Sequence, residues 1–169
     1  DHDHLINGPT DTWELGTRDA GAYATFSEVV NYFDWLGLQF SSENEPRERI
    51  TAAYSVIKTH EKKLMDLMVK GTDEFLGLKD LPGMNAIGGF ENKKRAGLIS
   101  IYSNNICSVE IVDQLRSKGI RVHIRKDDHY SGTILRPLEL KSCVRVSICH
   151  YNSEEEVLRF LSVMKEICS

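Results

Sequence analysis

The sequence predicts an α+β fold, in which two long N-terminal helices precede a β-β-α-β-β-α segment with a mainly antiparallel sheet covered by helices on one face. Three observations predict it. Apolar residues recur every three or four positions up to Lys70, shorter alternating runs follow, and Gly or capping residues stand at the segment ends. The chain has 169 residues and 41% hydrophobic content, enough for the core of one compact domain.

The two N-terminal helices are predicted over residues 19–36 and from Pro46 to about residue 70. Gly37 follows the first, whose apolar positions are Tyr23, Phe26, Val29, Val30 and Phe33. Pro46 suits the first turn of the second helix, which Gly71 ends. The apolar stripe of that helix consists of Ile50, Ala53, Tyr54, Ile57, Leu64, Leu67 and Met68. Both segments predict amphipathic helices packed on one side.

Beyond Pro82 the sequence changes to short strand-like runs. Residues 85–88 and 96–102 have the length and composition of strands, and a charged turn at residues 91–95 separates them. A pair of strands is therefore expected here.

A helix and two further strands follow. Ser108 predicts the N-cap of a helix over residues 109–118, and Gly119 predicts its left-handed end. In residues 120–125 and 144–149 apolar residues alternate with polar ones. Each of these two segments predicts a strand with one buried face.

The last helix has a clear start. Ser153 and Glu156 have the spacing of a capping box, and Glu154 and Glu155 add negative charge where the helix dipole is positive. Its predicted core face is made of Val157, Phe160, Leu161, Met164 and Ile167.

Composition excludes several partners. The 21 basic and 25 acidic residues are interleaved and give a formal net charge of -4, so we expect no nucleic-acid or membrane-surface partner. No apolar run has transmembrane length and no signal peptide is recognisable, which leads us to expect a soluble, cytoplasmic protein.

The cysteines and the N-terminus offer two further chemical possibilities. The four cysteines lack Cys-x-x-Cys spacing, so we expect reduced core thiols rather than disulfides or metal ligands. The alternating Asp and His of residues 1–4 offer metal donors, but terminal tetrapeptides are flexible, and we expect no metal site there.

Arg145 is the candidate binding residue, because it occupies the polar side of a strand otherwise made of apolar, β-branched residues. A guanidinium held on a rigid strand can bind a carboxylate through two parallel hydrogen bonds. Spacing alone favours a simpler interpretation, in which Arg145 lies on a solvated sheet face or forms a surface ion pair with Glu139.

Residues 143–157, CVRVSICHYNSEEEV, resemble the C-terminal strand, turn and helix of the class V aminotransferases and cysteine desulfurases, which use pyridoxal 5'-phosphate (PLP). The resemblance implies that Arg145 holds the α-carboxylate of a small amino-acid substrate. It is closest to the cysteine desulfurase-like branch and extends from Glu14 to Ile167.

A second segment, WELGTRD at residues 13–19, is similar to the Glu-x-Gly-Thr segment of the same family. In that family the threonine reaches across a homodimer to the PLP phosphate of the neighbouring subunit. The resemblance therefore implies a cofactor role for Gly16 and Thr17, since a phosphate dianion needs hydrogen-bond donors. An ordinary residue at the start of a helix is the alternative.

Three departures from the family limit what the resemblance implies, and one is Arg18 after Thr17, where proline or a polar residue is more usual, which leaves the reaction undefined. The lysine that anchors PLP lies upstream of the Gly-Thr segment in relatives, and no lysine here has an equivalent context, so we expect no catalytic residue in this chain. The loop that carries the desulfurase cysteine in relatives reads KDDHYSG here, at residues 126–132. His129 or Tyr130 would then contact substrate, although a polar loop with Gly132 is also typical of any strand exit.

The resemblance divides the chain into three parts: residues 1–18 as a linker carrying the Gly-Thr motif, residues 19–71 as a helical segment joining a missing N-terminal large domain, and residues 72–169 as a C-terminal small domain. It implies the C-terminal part of a fold-type I, homodimeric PLP enzyme, inactive without its N-terminal part. A non-catalytic α+β ligand-binding or regulatory module that dimerises is the alternative.

Overall fold

The computed structural model describes residues 19–169, and the chain divides into two compact units. The first extends to Tyr54 and the second comprises Ser55–Ser169. Helix α1 (Ala20–Leu38) belongs to the first unit, and helix α2 (Pro46–Lys70) runs across the boundary. The two predicted N-terminal helices are thus confirmed.

Helix α1 continues through Gly37, so its predicted end at residue 36 is wrong by two residues. The glycine serves a close approach instead: a Cβ there would lie 2.1 Å from the carbonyl oxygen of Arg49. The Arg49 side chain also donates to both carboxylate oxygens of Asp34, at 2.6 and 2.9 Å. The start of α1 is capped by Asp19, which accepts from the Ala22 amide.

The apolar side chains of α1 are exposed, which contradicts the prediction of a helix packed along one side. Tyr23 is 54% exposed, Phe26 70% and Trp35 55%. At about 100° per residue these positions, with Val29, Tyr32 and Leu38, are spread around the whole circumference. The helix is therefore apolar on several faces rather than amphipathic.

The second unit contains a four-stranded antiparallel sheet, which confirms the predicted fold class. The strands are β1 (Met84–Ala86), β2 (Leu98–Ser103), β3 (His123–Lys126) and β4 (Ser142–Ser147), in the spatial order β1-β2-β4-β3. Each neighbouring pair is antiparallel. Strand β4 consequently lies inside the sheet, with a partner on either side.

Helices pack on one face of this sheet. The core joins α2, α3 (Ser108–Ser117) and α5 (Glu154–Cys168) to the inner face of the strands. Its fully buried members include Leu64, Leu78, Ile99, Ile101, Ile111, Leu115, Val144, Leu161 and Met164. The capping box predicted at the start of α5 is present, since Ser153 and Glu156 exchange side-chain and backbone hydrogen bonds.

The structure corrects several element boundaries. Helix α3 begins at Ser108 itself, with Cys107 in the N-cap position and no side-chain cap bond, so Ser108 is not the N-cap. Pairing of β3 begins at His123 rather than residue 120. Tyr54 is 63% exposed and does not belong to a buried stripe.

Two features of the second unit were predicted and two were not. Gly119 adopts a φ of 74° after α3, as predicted for a left-handed helix end. The strand pair after Pro82 is also confirmed, as β1 and β2. The short helix α4 (Gly132–Leu135) and the 3-10 helix Arg136–Leu138 after it were not predicted.

The four cysteines are free thiols, and the predicted core position holds for Cys143, whereas Cys149 and Cys168 are half-buried and Cys107 is exposed, contrary to the prediction. Between residues 19 and 169, no helix combines the length and apolar character needed to cross a membrane.

Candidate functional site

Arg145 lies in the middle of β4, with one strand on each side. Antiparallel pairing places it directly opposite Ser100 of β2 and His123 of β3. Directly opposed residues share a sheet face, and Val144 and Val146 on either side of Arg145 point into the core. Ser100, Arg145 and His123 therefore form a polar row across the face of the sheet that the core does not occupy.

The guanidinium of Arg145 is poorly satisfied. Its Nε is buried without a hydrogen-bond partner, and within residues 19–169 the side chain forms no hydrogen bond or ion pair. The residue as a whole is half-buried. No ion pair joins Arg145 to Glu139 in the described part of the chain, which does not support that interpretation, whereas a half-buried place on the face away from the core is compatible with a partly solvated sheet face.

The thiol nearest this row is not suited to nucleophilic chemistry. Cys143 lies two residues before Arg145 on the same face, opposite Arg125 of β3. It is only 2% exposed, and burial raises the pKa of its thiol, although a hydrogen bond with Ser100 acts in the other direction. A buried thiol with a raised pKa is a poor nucleophile.

The turn that follows β4 is held by hydrogen bonds. The Asn152 side chain accepts from the Cys149 amide at 2.8 Å and donates to Glu156 at 3.0 Å, and His60 of α2 lies 2.9 Å from the Asn152 carbonyl oxygen. Tyr151 is 76% exposed, and a hydrogen bond with Cys149 raises its pKa. The strand that carries Arg145 thus has a fixed end.

His129 and Tyr130 lie on an ordered loop between β3 and α4. The Asp128 carboxylate accepts from the amides of Ser131 and Tyr130 at 2.8 and 2.9 Å, and these bonds lower its pKa. The two aromatic rings stand 3.9 Å apart, and Tyr130 is 78% exposed. The loop backbone is therefore defined while both side chains face solvent.

The structure does not bring this loop against Arg145. Lys126, at the loop end of β3, pairs with Ser142, whereas Arg145 pairs with His123 at the opposite end of β3. Along β3, Lys126 lies three residues from His123, which corresponds to about 10 Å. Gly16 and Thr17, the predicted cofactor residues, and the Asp and His of residues 1–4 lie outside the described residues.

The lysines are informative about PLP, because an anchoring lysine has to be desolvated to react. All lysines of the chain lie between Lys58 and Lys165, within the described residues, and every one is solvent-exposed. The lysines present therefore do not fit a covalent PLP anchor. The described residues also contain no group of three or more His, Cys, Asp or Glu side chains arranged to hold a metal ion.

Sequence reasoning missed Ser100, His123 and His60 as neighbours of the candidate site. The polar residues of 120–125 were visible as the outward face of a strand, but only the pairing register places His123 beside Arg145. Nothing in the sequence indicates the contact between His60 and Asn152, which lie 92 residues apart.

The comparisons with known proteins agree on one family. The family model described as aminotransferase class-V matches residues 49–160. The probable cysteine desulfurase 1 of Mycobacterium leprae is 27% identical over 163 residues, covering 96% of this chain and 22% of the relative. The probable cysteine desulfurase of Pyrococcus abyssi is 23% identical over 164 residues, covering 97% of this chain and 35% of the relative.

Solved structures agree with this. A cysteine desulfurase from Thermococcus onnurineus NA1 superposes with a TM-score of 0.59 and 28% identity, over 73% of this chain and 28% of that one. The cysteine desulfurase CsdA from Escherichia coli gives a TM-score of 0.54 at 17% identity, over 72% and 30%, which shows a shared fold. The chain spans between a fifth and about a third of the length of these relatives and structures.

Proposed function

The chain belongs to the class V aminotransferase family, and from that premise we propose that it is the C-terminal, substrate-binding part of a PLP-dependent enzyme that acts on a small amino acid. In this proposal Arg145 binds the α-carboxylate of the substrate. The chain contributes no catalytic residue and is inactive without the N-terminal part of the enzyme. Its likeness to cysteine desulfurases that are much longer supports this division.

The observation that carries the proposal is the unpaired guanidinium of Arg145. A buried Nε without a hydrogen-bond partner costs stability, and a ligand that approaches the guanidinium can reduce this cost. Its place on the central strand limits its movement, and a carboxylate satisfies two of its N–H groups in one plane. Arg145 is therefore positioned to bind and orient an anionic group, and it moves no proton.

In this proposal PLP is bound by the N-terminal part of the enzyme. The exposed lysines of this chain offer no anchor, so the anchoring lysine belongs to the N-terminal part. PLP supplies the electron sink for chemistry on the amino acid. By resemblance, Gly16 and Thr17 would contact the phosphate of the PLP held by the partner subunit of a homodimer.

Helix α1 supports the proposal of an additional large domain. A helix that is apolar around its circumference is typical of the interior of a larger protein, and Phe26, Trp35 and Tyr23 are all more than half exposed here. The relatives have several times as much chain as this one. We therefore propose that the N-terminal large domain covers α1. In this division, residues 19–71 are the helical segment that joins the large domain, and residues 72–169 form the small domain.

The loop with His129 and Tyr130 is proposed to face the substrate from the other end of β3. Both side chains are exposed on a backbone that Asp128 holds in place. This loop contains no cysteine, so a transfer of sulfur to a thiol at this position is not part of the proposal.

The test uses the full-length protein that contains this chain, loaded with PLP. Adding amino acids should change the visible absorbance of the bound PLP, and Arg145→Ala should raise the concentration that gives half the change by about 100-fold, because a bidentate charged pair is lost. Lys165→Ala removes an exposed cation of α5, which packs on the opposite face of the sheet from Arg145, and is the control, expected to respond like the wild type. An unchanged response of Arg145→Ala would exclude the carboxylate role.

The exposure of every lysine also favours a second candidate, a non-catalytic module that binds an anionic ligand through Arg145 without PLP and dimerises. The intact mass of the natural gene product separates the two. A natural product with the mass of these 169 residues and no PLP absorbance would favour the module, whereas a product of two to five times that mass that holds PLP favours the enzyme.

A further inference from the structure

His123 stands beside Arg145 in a position that the proposed carboxylate role does not use. The two residues are direct partners in the β3 and β4 register, and cross-strand partners have Cβ atoms about 5 Å apart. On the other side of Arg145, Ser100 is the direct partner in β2, and its hydroxyl also influences the Cys143 thiol. His123 is exposed and forms no hydrogen bond or ion pair within residues 19–169, so its ring N–H is available to a ligand.

There is room for a ligand beyond His123. A surface cavity of about 450 Å³ is lined by Arg116, Gly119, Ile120, Arg121, Val122 and His123. The lining residues 119–122 precede the segment that pairs with β4, which begins at His123, and Arg145 itself does not line the cavity. No carboxylate lines it, and although Arg116 is paired with Asp113, Arg121 forms no ion pair in the described part of the chain. A negatively charged group is therefore favoured on this side of His123.

We propose that His123 is a specificity-determining residue that binds a second acidic group of the ligand whose α-carboxylate is bound by Arg145. The inference depends on the proposed role of Arg145 and adds the substrate class: an amino acid whose short side chain ends in a carboxylate or a similar oxyanion. Two donors that neighbour each other across strands match the short separation of the two acidic groups in such a molecule. A neutral side chain would leave the His123 donor unused.

The test measures binding of two unreactive probes to this chain by NMR titration. Glutarate carries two carboxylates and butyrate carries one on a chain of similar length. The wild type should bind glutarate about tenfold more tightly than butyrate, which corresponds to one additional charge-assisted hydrogen bond. His123→Leu should reduce this ratio to about one without changing butyrate binding, and His123→Gln, which keeps a donor, should retain part of it.

Two further variants separate the possible outcomes. Lys141→Gln removes an exposed positive charge just before β4, at the end of that strand away from Arg145, and should leave the ratio unchanged. An equal loss there would show that overall charge sets the preference and would overturn the role of His123. Arg145→Met should weaken both probes. If it does so while His123→Leu leaves the ratio intact, the inference about His123 fails and the role of Arg145 stands. If Arg145→Met changes neither probe, the role of Arg145 fails as well.

Discussion

Arg145 combines a partly buried guanidinium with a position on an inner strand of the sheet. Its Nε is removed from water without a hydrogen-bond partner in the described residues, whereas the neighbouring Val144 and Val146 are well packed. Arg95 Nε is also buried without a partner, but the Arg95 side chain donates to the carbonyl oxygens of Ile87 and Gly89, whereas no hydrogen bond of the Arg145 side chain lies within the described residues. The same argument separates Arg145 from Arg49, whose pair with Asp34 satisfies it inside the fold.

Arg145→Met should therefore leave the free energy of unfolding unchanged or raise it, by up to about 1 kcal/mol, because an unpaired charge is replaced by an apolar chain of similar length. Urea denaturation of the variant and the wild type measures the difference. Arg49→Met is the matched comparison and should be destabilised, since it leaves Asp34 without its partner. A loss of stability in Arg145→Met as large as that in Arg49→Met would indicate a structural arginine.

Among single residues, the sequence singled out Arg145 as a candidate but not the residues that lie beside it. Arg145 was recognisable because it interrupts an apolar strand and matches a family motif. Ser100 and His123 became neighbours only through a strand order in which β4 lies between β2 and β3. Pairing across distant segments depends on the whole sheet, and local patterns do not encode it.

Among the elements, α5 was the easiest to predict because its start and its buried face are both local signals. Ser153, Glu156 and the apolar positions at helical spacing are all within one segment. Strand β3 was harder, since Ile120 and Val122 continue the alternation while the backbone pairs only from His123. The helix α4 was missed because Gly132 and the later Pro137 are typical of a loop.

The capping box of α5 should have a measurable effect on stability. Ser153→Ala should lower the free energy of unfolding by about 1 kcal/mol, because the Glu156 amide loses its acceptor. Thermal or urea unfolding at neutral pH measures this loss. Thr59→Ala on α2 is the control, since that exposed hydroxyl only bonds back to Ser55 in its own helix.

The charge of Glu156 adds a pH dependence to the same element. Hydrogen bonds from the Asn152 side chain and the Ser153 amide lower its pKa from the ordinary value of 4.5. The charged form is thus favoured in the folded state, so this contribution is present above pH 4.5 and is lost as the pH falls through the lowered pKa. Glu156→Gln should be less stable than the wild type at neutral pH, and the difference should shrink on acidification; a constant difference would contradict the mechanism.

The contact between α1 and the start of α2 depends on the absence of a side chain at Gly37. Gly37→Ala would place a Cβ 2.1 Å from the Arg49 carbonyl, and because that atom is backbone, the helices have to separate. We expect a loss of about 2 kcal/mol or more, although alanine is the better helix former. Gly21→Ala in the same helix is the control and should be nearly neutral, since its closest neighbour is the side chain of Asp19 at 3.2 Å.

In the whole molecule, the two units differ in how their apolar residues are used. The second unit encloses a continuous core between its sheet and helices, whereas α1 exposes aromatic residues on several sides. The sequence predicted helical periodicity for both, because spacing reports which residues are apolar and not whether anything covers them. That difference could only be found in three dimensions.

Hydrogen exchange should reveal this difference directly. In the isolated chain, amides of α1 should exchange much faster than those of β2 and β4, because few buried contacts oppose local opening of α1. In the full-length protein, the proposed large domain should protect α1 while β2 and β4 change little. Equal protection of α1 in both forms would contradict the proposal that another domain covers it.

The exposure of Cys107 at the start of α3, against the buried Cys143, has a practical consequence. Burial raises the pKa of the thiols of Cys143 and Cys168, and Cys149 is half-buried, so Cys107 is the most accessible target for a maleimide applied to the folded chain. A fluorophore attached to Cys107 would lie just before α3, on a segment of the chain that contains neither Arg145 nor His123. The native cysteines thus provide a labelling position for single-molecule or fluorescence studies without engineering a new one.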